Sequence, residues 1–402
     1  DPRAAAAYLE AAALEQAACR FDRAEQLVAR AREIATEGHD QCIASVMLGE
    51  IKLGKGRTED AAAAFRVAIY LAASNAERAR AWLGLASSLR VVDRYEEALD
   101  ALRHAEQAAL AEAEPRRLAH LWTLRGNLHF PRGELDECRA AHERALEFAG
   151  QAGSPEDIAR ALGGLGDAQY QRGRMRTAHT HFRNCVDLCV QHEFAGLRLS
   201  YLPMLAVTQA YAGDFAGAIE ISIEAAETAR RLGDLRAELL ASSILGMTET
   251  YRARYAVALE CSSRSVALSR ELGARRFEAE ALVLNGLALI GLQRREDARL
   301  VLDDAVSLAR VVAPTYCGPW ALGVLALATD DLRASRRLLD EGEALLARGC
   351  VSHNHLEFPL FAIEVSLRAG DHAEALRHAA ELEAYTRAEP LPWVDVVVAR
   401  AR

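Results

Sequence analysis

Among the residues able to do chemistry, a glycine–lysine string, two histidine pairs and one cysteine pair stand at suggestive spacings. Gly49-Glu50-Ile51-Lys52-Leu53-Gly54-Lys55 fits the first seven positions of a phosphate-binding loop. The eighth should be a Ser or Thr to hold magnesium, but here it is Gly56. The string also falls within a helical stretch and its turn, whereas such a loop joins a strand to a helix N-terminus. Nucleotide binding is not expected. His179 and His181 are two apart, so on a helix they diverge by about 200° and cannot share an ion. His353 and His355 have no third ligand nearby and read as solvated loop residues. Cys185 and Cys189 stand four apart, the spacing of a small-residue packing seam on one helical face. No Ser-His-Asp order, carboxylate pair or glycine-rich cofactor loop can be defended. The expectation is therefore a chain that is not an enzyme and holds neither metal nor cofactor.

What positions these residues is a repeated helical hairpin. From Ala161 to Cys189, one apolar helical period carries Leu162, Leu165 and Gly166, and a second carries Ala178, Phe182 and Cys185. Gly173 lies between them and lets the chain reverse. The slot of Gly166 recurs at Gly126, Ala206, Gly246 and Gly286, in steps of forty. It extends upstream to Ala86, Gly49 and Ala12 and downstream to Gly323 and Ile363, in steps of thirty-seven or forty. Twelve residues after each comes a second small residue: Ala24, Ala61, Ala98, Cys138, Ala178, Ala218, Ala258, Ala298, Ser335 and Ala375. Two helices approach closely only where neither carries bulk at the crossing. Ten units in register make the chain a solenoid in which each unit should touch only its neighbours.

The turn slot holds Gly56, Gly133, Gly173, Gly213 and Gly370, with Asp93 and Asp330 as turn-compatible replacements. Ser154-Pro155-Glu156-Asp157 reads as a helix cap and first turn. Gly233 and Gly273 should end helices. Gly349 to Pro359 is the least regular stretch, with Pro359 expected to open a helix, and any bend is expected between units eight and ten.

Over 402 residues no composition shift marks a domain boundary. Starting at Asp1 and stopping in a helical run, the chain reads as one solenoid, 1–402, cut from a larger multidomain protein. A net charge of −9 argues against nucleic acid as a direct partner, because phosphate neutralisation needs clustered cations. No apolar run reaches the roughly 18–20 residues of a membrane span. The eight cysteines are scattered singly, which suits a reducing, cytoplasmic location.

The pattern resembles the tetratricopeptide repeat (TPR), whose consensus runs W-x-x-L-G-x-x-Y, a glycine turn, then A-x-x-x-F-x-x-A. Trp82, Leu85, Ala86, Asp93, Ala98, Leu102 and Ala105 follow it in unit three, and Leu165, Gly166, Gly173, Ala178 and Phe182 in unit five. The usual period is 34; this longer variant is similar to the repeat arms of large bacterial signalling proteins. These include maltose-regulator-like LuxR-type activators and the arms that follow an ATPase in some cyclases and kinases. The resemblance implies an all-α, right-handed superhelix of about ten hairpins, with first helices lining a concave wall.

In that family the lining residues fall one, four and five places after the first small slot. Here that gives Arg90, Asn127, Asp167, Tyr170, Tyr211, Met247 and Tyr251 as a ligand or partner groove, with Ser87, Phe130, Gln171, Val207 and Thr250 beside them. Tyr170, Tyr211 and Tyr251 would form a ladder, and Tyr211, as a groove residue, should be only partly buried. The family's two-carboxylate clamp needs a lysine that is absent near Asn127 and Arg90, so that ligand type does not carry over. The resemblance implies a protein- or peptide-binding arm of a bacterial signalling or transcriptional regulator. One alternative is an arm that senses a small-molecule inducer and relays its occupancy to an ATPase or output domain; another is a structural oligomerisation scaffold.

Overall fold

The computed structural model describes residues 2–18, 20–36, 38–111 and 114–402. These residues form a continuous run of antiparallel helix pairs with no strand among them. The first five pairs are α1 (Pro2–Ala17) with α2 (Phe21–Ile34), α3 (Gly38–Gly54) with α4 (Thr58–Leu71), α5 (Asn75–Val91) with α6 (Tyr95–Leu110), α7 (Pro115–His129) with α8 (Leu135–Ala152), and α9 (Pro155–Gln171) with α10 (Met175–Gln191). The next three are α11 (Ala195–Tyr211) with α12 (Phe215–Leu232), α13 (Leu235–Tyr251) with α14 (Tyr255–Leu272), and α15 (Arg275–Gly291) with α16 (Arg295–Val312). Then come α17 (Gly318–Ala328) with α18 (Leu332–Leu346), α19 (Ser352–Arg368) with α20 (His372–Thr386), and a closing α21 (Pro392–Ala401). The fold is thus an all-α superhelix of ten hairpins and one further helix.

The small-residue register is where the helices cross. Ala24, Ala61, Ala98, Cys138, Ala178, Ala218, Ala298, Ser335 and Ala375 are all fully buried. A Cβ on Gly166 would meet the ring of Phe182, and one on Gly286 would meet Leu302. In these units the large residue of the second helix fills the space that the small residue of the first leaves.

At the hairpin turns Gly56, Gly133, Gly173, Gly213 and Gly370 adopt positive φ, and Asp93 does so at 59°. Ala253 and Gln293 take the same left-handed conformation in units seven and eight, at the usual cost for a residue with a Cβ. Asp330 does not. Its unit reverses through Thr329, which is extended, and Asp331, which caps α18 by accepting from the Arg333 amide. The stretch expected to be irregular is also ordered: helix α19 begins at Ser352, and Pro359 lies inside it rather than opening it.

The expectation that units touch only their neighbours fails. The hairpin end of each central unit meets the start of the unit five places on. Gly56 lies against Leu235 and Leu272. Asp93 accepts from the Arg276 amide at 2.7 Å, Pro131 O from Thr315 Oγ1 at 3.0 Å, and Tyr211 O from Trp393 Nε1 at 3.1 Å. These last three partners stand 182 to 184 residues apart. The superhelix therefore completes a turn in about five hairpins and its successive turns stack.

Candidate functional site

Stacking divides the concave surface into two parts. In the C-terminal part the groove is filled by the protein itself. The N-terminal turn of α19 lies across the ends of α9, α11 and α13, where the tyrosine ladder was expected. Tyr170 Oη meets His353 Nδ1 at 3.2 Å, while His353 Nε2 faces the Tyr316 carbonyl. Those partners assign the tautomer: Nε2 carries the proton and Nδ1 accepts from Tyr170. Burial holds His353 down to about 4, so it is neutral at physiological pH. It is a packed helical residue, not the solvated loop histidine the sequence suggested.

Tyr211 donates to Glu357 Oε1 at 3.0 Å, and Tyr251 donates to the same oxygen. Glu357 is 1% exposed and its carboxyl is pushed up to about 7 by burial, against the pull of the two phenols. Beside it is a small cavity walled by Phe215, Leu360, Trp393 and Val397. Tyr211 is 2% exposed, which corrects the expectation of a partly buried groove residue. The ladder rungs exist, but α19 occupies them. Met247 is likewise in the core, at 4% exposure.

In the N-terminal part the groove stays open. A mouth of about 1010 Å³ between α1, α3 and the start of α11 shares Glu50 and Arg80 with a cavity of about 590 Å³ along α5 and α7. That cavity shares Arg90 and Asn127 with an inner chamber of about 220 Å³. Here the structure brings Arg90, Asn127, Asp167 and Tyr170 to one cavity, with Phe130 and Val207. It adds residues that sequence reasoning missed: Arg160, Arg236, Arg276 and Glu280. Arg236 and Arg276 stand forty apart, ten places before the small slot, and Arg160 and Glu280 occupy another shared slot six places before it. The sequence signal was therefore a second lining row at the N-terminal ends of the first helices.

The chamber's charges are unevenly satisfied. Arg276, 4% exposed, donates to Tyr95 Oη at 3.0 Å and faces Asp93 at 3.7 Å. Tyr316 donates to Glu280 at 2.7 Å, and Arg160 pairs with Glu156 at 3.0 Å. The side chains of Arg90, Asn127, Asp167 and Arg236 make no hydrogen bond or ion pair with any described residue. Burial, and then the facing Arg236 and Arg276, hold Arg90 down to about 9, still charged at neutral pH. Burial pushes Asp167 up to about 7 against the pull of Arg236 and Arg90.

Elsewhere, Glu343, Glu374 and His378 could together approach an ion, but Arg377 already pairs with both carboxylates. Cys185 and Cys189 are buried free thiols on α10, and the seven described cysteines are all unpaired; Cys19 lies outside the described residues. No described helix is long and apolar enough to cross a membrane.

The sequence profile of the tetratricopeptide repeat matches residues 117–189, which span α7 to α10. No curated protein matches the chain. Among solved structures, a Rap protein complexed with competence and sporulation factor aligns at 12% identity and TM-score 0.55, over 87% of this chain and 100% of that one. NprR in complex with its cognate peptide NprX aligns at 13% and 0.57, over 80% and 92%. The apo quorum sensor NprR from B. thuringiensis aligns at 13% and 0.50, over 80% and 96%. At such identities the likeness is one of fold. Profile, register and fold together make this a TPR-type repeat protein.

Proposed function

We propose that the chain is a non-catalytic, peptide-binding arm of a bacterial signalling or transcriptional regulator, working in the cytoplasm. The observation that carries this reading is the open channel, where Arg90, Asn127 and Asp167 present polar groups that the protein leaves without partners. Arg90 Nε is buried without the partner such an atom ordinarily has, Asn127 and Asp167 are half-buried and unpaired, and a peptide backbone supplies both donors and acceptors. Asn127 and Asp167 occupy equivalent slots of adjacent units, so they would grip successive parts of an extended chain. Two structural neighbours add support, since one was solved with competence and sporulation factor and another with its cognate peptide. The narrow inner chamber, below the ~300–1,000 Å³ of drug-sized pockets, favours a second reading: an arm that senses a small molecule and relays its occupancy to an ATPase or output domain.

The test is affinity selection of a random peptide library on the immobilised chain, followed by titration of a recovered peptide. Asn127→Ala and Asp167→Ala should each weaken binding by about tenfold or more, the range of an interface hot spot. Binding that survives both changes but is lost with Arg230→Ala on α12 would move the site to the outer surface. A chain that recovers no peptide yet self-associates in light scattering would be an oligomerisation scaffold.

A further inference from the structure

We infer that the inner chamber is a seat for a compact anion, a carboxylate or phosphate group held between Arg90 of one superhelical turn and Arg236 of the next. It rests on the reading of the channel as a ligand site, but not on the ligand's being a peptide.

The charged groups of the chamber are not equally paired. Four arginines line the chamber. Arg276 is answered by Asp93 and Tyr95, and Arg160 by Glu156. Of the acids, Glu280 accepts from Tyr316 and acts on Arg276, and Asp93 accepts from both Tyr95 and the Arg276 amide. Arg90 and Arg236 are thus the two guanidiniums of the chamber with no ion pair of their own, and Asp167, the nearest carboxyl in it, is within ion-pair distance of neither. Asp234, the N-cap of α13, pulls on Arg236 from behind while accepting from the Ala237 amide at 2.9 Å, but forms no ion pair with it. The Nε atoms of all four arginines are buried without a hydrogen-bond partner, but only at Arg90 and Arg236 is no other nitrogen of the guanidinium engaged either.

A charge drawn partly out of water without a counter-ion is costly, and the position of Arg236 adds to the cost. It sits in the first turn of α13, where the helix dipole disfavours a cation. An anion between the two guanidiniums would remove all three penalties together, because the planar forks of arginine match carboxylate and phosphate oxygens. Asp167 beside it would accept an N–H or O–H from the same ligand. The geometry also has a mechanical consequence. Arg90 is in unit three and Arg236 in unit seven, whose helices meet only through the stacking of turns. An anion bridging them ties one turn to the next, so occupancy favours the closed superhelix.

The test uses the full chain with inorganic phosphate, citrate and N-acetylalanine, at ionic strength fixed with chloride. N-acetylalaninamide serves as the uncharged control. The expectation is that at least one anion raises the thermal midpoint and reduces the radius of gyration, while the amide does neither. Arg90→Met and Arg236→Met should each weaken the apparent affinity by tenfold or more, and Arg230→Met should leave it unchanged. A response to phosphate but not N-acetylalanine would identify a phosphorylated ligand, and the reverse a carboxylate. No response beyond chloride, or a response that survives both Met changes, overturns the anion seat. If a library-selected peptide still binds through Asn127 and Asp167 in that case, the peptide reading stands and only the anion seat fails.

Discussion

Asn127 and Asp167 at one end of the concave wall and Tyr211 and Tyr251 at the other come from the same face of the same repeated helix. Yet one pair looks into an open channel and the other is sealed under α19. Neither the repeat nor its register differs between them. What differs is position along a superhelix whose turns stack every five hairpins. Asn127 and Asp167, on the first helices of units four and five, line the inner chamber, where no described side chain hydrogen-bonds to them. The tyrosines of units five to seven are covered by α19 and α21, whose Glu357, His353 and Trp393 meet them. In a TPR-type solenoid this tightly wound, the inner surface is thus part open wall and part core.

The largest expected effect comes from removing the cover. Deleting residues 350–402 would leave the chain helical by circular dichroism but expose Tyr170, Tyr211 and Tyr251 together. The cost should be about 5 kcal/mol or more, because uncovering each buried aromatic ring costs several kcal/mol. It would be read as a fall in the thermal midpoint and a gain in dye binding. A truncated chain as stable as the whole would mean that α19 to α21 only rest on the groove.

Next is Tyr211→Ala, which removes a ring at 2% exposure and one of the two phenols on Glu357. A cost of about 3–5 kcal/mol in urea unfolding is expected. A change below about 1 kcal/mol would return Tyr211 to the open wall.

These two effects mark where sequence reasoning stops. The crossing residues are legible because a close helix crossing forces small side chains at fixed positions, whatever the wider shape. Arg90, Asn127 and Asp167 fall on the inner wall for the same local reason. The fate of Tyr211 depends on superhelical pitch, which sums small rotations over five units and leaves no mark at any one residue. Arg236 and Arg276 are legible in principle, since they recur at one slot forty apart, but they belong to the N-terminal row of the wall and the family's lining rule covers only the C-terminal row. Pro359 misleads because proline in a helix is costly, and here tertiary packing overrides that preference.

Glu357 sharpens the contrast through pH. Its carboxyl titrates near 7 in the folded chain and near 4.5 when unfolded. The native state therefore holds this proton more tightly. Its stabilising contribution is complete below about pH 4.5 and is lost as pH rises through about 7. Glu357→Gln keeps an oxygen for Tyr211 and Tyr251 without a charge. Relative to the parent, the variant should gain on the order of 1–3 kcal/mol between pH 5 and 8. Parallel pH profiles would show that the carboxyl is not sealed.

The smallest effect on folding is expected at Asp167, and it is the one that separates wall from core. Asp167 is partly buried, its carboxyl makes no hydrogen bond, and burial already disfavours its charge. Asp167→Ala therefore removes no protein contact and relieves a desolvated acid. Near pH 4, where the parent's carboxyl is protonated in the fold, the stability change should lie within about 0.5 kcal/mol of zero. Any gain should grow as pH rises to about 7 and then level off, because above that point the parent must keep the carboxylate ionised in both states. Arg230→Ala on the outer surface should be mild too, because Arg264 still holds Glu238 through two bonds at 3.0 Å. Neither change should cost much stability, so a loss of ligand binding is what tells the two variants apart. If Asp167→Ala instead cost about 2 kcal/mol or more in the unliganded chain, the carboxylate would be serving Arg90 and Arg236 as a structural counter-ion. The open end of the wall would then be core like the closed one.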